Sequence, residues 1–251
     1  MPTQKTLSLL RRAEEIASDN SDLTRSWLYF VLLIGSMFFG GFLLYLFPGA
    51  PLLGFSFHIL IFIAPPLLTS MFIMYRVVEQ RNRHFRRSLE FYETVAEVFE
   101  SLGVSSSVSR ALRSFLEDLR SVSRERNALR DTLLSLTFFY MIYLSHVIQN
   151  DYHKHSSTEK NMLDLINFLL GGNAFSSVKE KFVIVGRSNS LLIILALLPF
   201  LVVPYLGIIL LFLVDYTAWF SNEHIKSQKQ FEKTIVEALK NLSSFRQFLV
   251  K

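Results

Sequence analysis

The sequence predicts an all-α, polytopic helical membrane protein with two hydrophobic hairpins and a cytosolic helical domain. Three observations carry this expectation. No charged residue occurs from Ser26 to Tyr75, or from Ser188 to Val214, and a spanning helix needs roughly 20 mostly apolar residues. Arg76, Arg81, Arg83, Arg86 and Arg87 crowd in directly after the first stretch. Such a concentration of cations holds a segment on the cytoplasmic side. Apolar residues then recur at helical spacing, at Leu89, Tyr92, Val95, Ala96 and Phe99.

Composition agrees with this class. Of the 251 residues 51% are hydrophobic, and 24 are Phe. That is more apolar surface than a soluble core needs, so part of it is expected to face lipid. The net charge of +5 reads as topogenic and headgroup-directed, not as a nucleic-acid footprint. The chain has no Cys, which excludes disulfides, thiolate metal sites and thiol catalysis. Its N-terminus lacks the basic-then-apolar order of a cleavable signal.

Five segments follow in order. Residues 1–26 form an amphipathic segment, with Leu7, Leu10, Ile16 and Ala17 on one face and Asp22 or Thr24 placed to cap the next helix. Residues 27–76 form a transmembrane hairpin. Its first helix, 27–47, carries Trp27, Tyr29 and Tyr45 near its ends, where interfacial aromatics are favoured. Residues 47–54 are its turn, and Pro65-Pro66 are expected to kink its second helix. Residues 77–188 form the cytosolic helical domain, in which Gly103 and the Ser-rich 103–109 end one helix and begin another, 108–130. Within it, 132–148 is uncharged and reads as a buried core helix, the alternative being a short third span. A charged loop, 150–187, follows. Residues 189–220 are a hydrophobic hairpin turning near Pro199–Pro204, or else one long span of about 48 Å. Residues 221–251 form a C-terminal amphipathic helix with Phe231, Ile235, Ala238, Leu239 and Leu242 as its stripe. Both termini are expected in the cytoplasm of a multi-pass protein of the cell membrane.

Motifs that carry chemistry are nearly absent. There is no Gly-rich phosphate loop, no HExxH and no GxSxG. No catalytic residue, cofactor or metal site is therefore expected. Asp151, His153 and His155, in DYHKH, are metal-binding residue types, but the segment reads as a solvated polar loop. His58 lies inside the second span as an intramembrane polar candidate, and Asp215 closes the last apolar run beside Tyr216 and Trp219. Arg76, Arg81, Arg83, Arg86 and Arg87 are the candidate contacts for lipid headgroups or a partner. Gly35, Gly40 and Gly41 would let helices approach closely.

Residues 81–115, RNRHFRRSLEFYETVAEVFESLGVSSSVSRALRSF, resemble the opening of the type II secretion F-domain family. Members form the inner-membrane platform of secretion, pilus and archaellum systems. Gly103-Val104-Ser105 match its Gly-hydroxyl turn, and Arg110-Ala111-Leu112 the start of the helix after it. The resemblance implies a non-enzymatic scaffold in contact with a cytosolic ATPase and a pilin-like membrane subunit, within a homo- or hetero-oligomer. With membrane lipids as the remaining partner and no nucleic acid, the expected function is an integral membrane scaffold or assembly platform. The alternative is a small four-span channel or transporter.

Overall fold

The computed structural model describes residues 3–23, 26–46, 55–135, 138–170, 182–188 and 207–249. Among these the protein is all-α, with seven helices and no strand. They are α1 (Gln4–Ser18), α2 (Ser26–Leu46), α3 (Phe55–Ser101), α4 (Ser106–Val122), α5 (Ala128–Leu134), α6 (Phe138–Leu169) and α7 (Gly207–Leu249).

Three long helices, α3, α6 and α7, organise the rest. One apolar cluster joins Ile73–Val78 and Phe85 of α3 to Met141–Tyr152 of α6, Ala218 and Phe220 of α7, and Tyr29 and Leu33 of α2. A second joins later positions of the same helices, Phe91–Leu102, Met162–Ile166 and Phe231–Leu239, to α1 and α4. Early positions thus meet early positions and late meet late, so the three helices run parallel. Helix α1 runs against α3, with Thr6 bonded to Ser101 at one end and Ile16 to Arg87 at the other.

Helix α2 is the one described helix long and apolar enough to cross a membrane, over Trp27–Leu46, and most of its surface is not covered by protein. Helix α3 has 47 residues, about 70 Å of helix. It runs unbroken through Pro65-Pro66 and across the boundary drawn at 76/77. The Ser70 hydroxyl, one turn on, donates back to the Pro66 carbonyl at 2.8 Å. Around the first cluster lie exposed aromatics from three helices: Trp27, Tyr143, and the pair Tyr216 and Trp219.

Several expectations change. The 108–130 helix is two helices, because Arg124–Asn127 leave helical geometry and the Asn127 side chain caps α5. In α1 the buried face is Thr6, Leu9, Leu10, Ala13 and Ala17, and Leu7 is exposed. The segment expected to end at 148 begins at 138 and continues to 169, so the first half of the "loop" 150–187 is helix. The predicted turn at Pro199–Pro204 lies outside the described residues, as do the side chains of His58 and Asp215.

Candidate metal centre

Between the two apolar clusters, the inward stripes of the three parallel helices carry polar groups. On α6 the stripe reads Leu144, Ile148, Tyr152, His155, Glu159, Met162 and Ile166, steps of three and four that keep one face inward. On α3 it passes through Val77, Arg81, His84, Ser88, Phe91 and Val95, and on α7 through Ser221, His224, Gln228, Phe231 and Ile235. His84, His155, His224 and Glu159 therefore converge at one level, and all four are fully buried.

A nitrogen of each of the three imidazoles lies within 4.8 Å of the other two. Glu159 reaches both of its histidine neighbours, with Oε1 3.1 Å from His155 Nε2 and Oε2 3.3 Å from His224 Nε2. A tetrahedral ion with bonds of about 2.0–2.1 Å holds its nitrogen ligands roughly 3.3–3.4 Å apart.

The outer ring nitrogens of two histidines are already committed. His84 Nδ1 lies 3.1 Å from Asp22 Oδ2, and His224 Nδ1 donates to the Val183 carbonyl at 2.9 Å. That fixes each ring with Nε2 as the lone-pair nitrogen, turned inward. Metal-bound histidines are held in this way by carboxylate and carbonyl partners. The third ring, His155, stacks on Phe85 with centroids 3.9 Å apart.

His84 Nε2 and His155 Nδ1 are buried without a hydrogen-bond partner, and His155 Nε2 and His224 Nε2 meet the Glu159 carboxylate at ion-pair distance. A buried polar atom left without a partner costs about 1–3 kcal/mol, and a shared cation would satisfy one nitrogen of each ring. Burial pushes the His84 pKa down to about 3, against the pull of Asp22, and also lowers that of His155. Both rings are then neutral and keep their lone pairs.

An ionic shell surrounds this centre. Arg87 donates from Nε to Asp22 at 2.9 Å and from NH1 to Glu232 at 2.7 Å. Lys229 Nζ lies 2.7 Å from Asp22 Oδ1. Arg81 pairs with Asp151 at 2.9 Å, and its guanidinium sits 4.4 Å over the Phe85 ring. An extended strap, 182–188, crosses α6 and α7. It is held by His153 to the Val185 carbonyl at 2.6 Å and by Ser227 to the Val183 amide at 3.2 Å.

The sequence-predicted site residues are redistributed. Arg81 and Arg87 are buried ion-pair partners, not headgroup contacts, because each has a carboxylate inside the bundle. Arg76 and Arg83 both pair with Glu79, and Arg86 is exposed beside Glu125. The DYHKH segment is helical rather than a solvated loop. His155 faces the centre, His153 faces the strap, and Asp151 meets Arg81. Asp22 anchors His84, Arg87 and Lys229. His84, Glu159 and His224 were not expected as site residues. Their signal is positional: His84 and His224 extend the apolar stripes of α3 and α7 toward the N-terminal end, and Glu159 extends that of α6 toward the C-terminal end.

Among the described residues the fold and this site define an all-α bundle with a buried cluster of three histidines and one glutamate. No protein-family model matches the chain, and neither curated proteins nor solved structures provide a match.

Proposed function

We propose that the chain is an integral membrane scaffold whose helical bundle is pinned, next to the membrane, by one divalent transition-metal ion on His84, His155, His224 and Glu159. The observation that carries this is the convergence of three buried imidazoles, one nitrogen of each within 4.8 Å of the others, with the outer atoms of His84 and His224 already tied to Asp22 and Val183. Neutral imidazoles with one carboxylate suit borderline ions such as Zn²⁺, Fe²⁺, Co²⁺ or Ni²⁺ over Ca²⁺ or Mg²⁺, which prefer all-oxygen shells. Four protein ligands, all fully buried, favour a structural ion over a catalytic one, which keeps an open position. The ion adds a further tie between the three parallel helices, beside their apolar packing and the buried pairs Arg81–Asp151 and Arg87–Glu232.

Elemental analysis of protein purified without chelator tests this. One first-row ion per chain is expected, and His155→Ala together with Glu159→Gln reduces it to background. An ion content that the double variant leaves unchanged would place the ion elsewhere.

Insertion through more than α2 is part of the proposal. The exposed aromatics around the first apolar cluster mark an interface level, and the starts of α3, α6 and α7 extend beyond it as apolar sequence. The Arg-rich side of that level is taken as cytoplasmic. Cysteines placed at the exposed Ser8 and Ser107 should resist a membrane-impermeant thiol reagent in intact cells and react after lysis. Labelling of Ser107→Cys in intact cells would reverse the orientation.

The platform reading draws on a separate observation. Helices α3 and α7 run unbroken from their apolar starts to the far end of the bundle, where α4 exposes Arg110, Arg113 and Glu117. Rigid struts that present a charged helix away from the membrane suit a docking scaffold for an ATPase or a membrane subunit. Co-purification of such a partner, lost on reversing the charges of α4, is the corresponding test.

A further inference from the structure

We propose that metal occupancy is coupled, through Asp22, to docking of the N-terminal clasp, residues 4–23, so that the bundle releases the clasp when the ion leaves. This rests on the metal centre proposed above. The clasp consists of α1 and the turn after it. It comes from the far end of the chain from α7, yet it closes over both α3 and α7.

Two kinds of contact hold it. Along α1, Leu9, Leu10, Ala13 and Ala17 pack on the second apolar cluster. Surface pairs Arg12–Glu90 and Lys240–Glu14, both at 2.8 Å, flank that seam. Exposed pairs of this type contribute little. The second kind is concentrated at the turn. Asp22 is fully buried and touches His84, Arg87 and Lys229 at once. Lys229 also bonds the Asp19 carbonyl and lies 3.2 Å from Asn20 Oδ1, and Arg87 donates to the Ile16 carbonyl at 3.2 Å. One carboxylate thus links the clasp to a residue of the metal centre and to two buried cations.

The physical link is the His84 ring. A cation on Nε2 withdraws electron density from the imidazole and makes the Nδ1 proton a stronger donor. Its bond to Asp22 then gains charge-assisted character. Asp22 in turn fixes the ring orientation that presents Nε2 to the ion. Coupling between two binding events is reciprocal. Whatever factor Asp22 contributes to ion affinity, the ion returns to clasp docking. Loss of an outer-shell partner typically weakens metal affinity about 10–100-fold, so the ion should favour the docked clasp by the same factor. Undocking uncovers the apolar surface of the second cluster on which Leu9, Leu10, Ala13 and Ala17 pack.

Hydrogen exchange of the full-length protein in lipid nanodiscs tests this, with Zn²⁺ as the added ion and a chelated sample as reference. Amides of 7–18 are expected to exchange about 10–100-fold faster after chelation, while those of 92–99 on α3 change far less. Asp22→Asn should bind Zn²⁺ about 10–100-fold more weakly and should abolish the dependence of clasp exchange on Zn²⁺. Because that variant also disturbs Arg87 and Lys229, the wild-type comparison decides the matter. One Zn²⁺ bound per chain with identical clasp exchange in both samples would overturn the coupling and leave the metal centre standing. No Zn²⁺ bound in the wild type would overturn both.

Discussion

Saturating Zn²⁺ is expected to raise the thermal midpoint of the wild-type bundle strongly and to leave that of His224→Ala unmoved. An ion that binds the folded state alone stabilises it by about 4 kcal/mol at a free concentration a thousand times Kd. For a domain of 150–250 residues each kcal/mol moves the midpoint roughly 2–4 °C, so a shift of about 8–16 °C is anticipated. His224 is the informative position because its ring is held by the strap carbonyl of Val183 and faces Glu159 with its free nitrogen. The variant removes one of four proposed ligands and one hydrogen bond to the strap, which His153 and Ser227 still hold, and leaves Arg87 and Asp22 in place. Circular dichroism at rising temperature, with and without the ion, measures the difference. An equal shift in both proteins would mean that the stabilising ion binds elsewhere.

Arg87→Met is expected to destabilise the bundle by about 3–5 kcal/mol, as removal of one partner from a buried ion pair does elsewhere. Arg87 is almost wholly buried, and its two carboxylate partners, Asp22 and Glu232, are fully so. Burial opposes its charge, yet Glu232 and Asp22 more than compensate and raise its pKa above the ordinary value. Truncating it strands Glu232, whose other side-chain partner is Gln228 at 2.9 Å. Lys at this position cannot restore the site, because Arg87 donates from three nitrogens in a planar fork. The double change Arg87→Met with Glu232→Met should recover part of the loss, since an apolar pair leaves one fewer charge unsatisfied. Denaturant unfolding monitored at α-helical wavelengths gives these values. A loss below about 1 kcal/mol for the single variant would show that water or rearrangement satisfies Glu232.

Much of the fold is legible in the sequence, and its limits have physical causes. Helix α2 follows from a run of uncharged residues with aromatic ends, and the late stripes of α3 and α7 follow from period 3.6. The Gly103 turn is also legible, and that residue adopts φ +76, which glycine accommodates without strain. The centre is harder to see because its groups, save His155 and Glu159, are 65 to 140 positions apart on separate helices. A stripe search that counts only apolar residues stops where the polar ones begin. On α3 it starts at Leu89, and on α7 at Phe231, just short of His84 and His224. On α6 the charged stretch after Gln149 resembles a loop, although Tyr152, His155 and Glu159 continue the inward face of Leu144 and Ile148. Arg81 and Arg87 illustrate the same limit. Charge alone marks them as topogenic, and only the packing reveals Asp151, Asp22 and Glu232 opposite them.

X-ray absorption at the K-edge of the bound ion tests the metal centre most directly. With Zn²⁺ loaded on the full-length protein, a four-coordinate shell of nitrogen and oxygen at about 2.0–2.2 Å is predicted. The outer-shell scattering should fit three imidazoles and fall to two in His84→Ala. A spectrum without imidazole scattering, or one that His84→Ala, His155→Ala and His224→Ala all leave unchanged, would contradict the assignment.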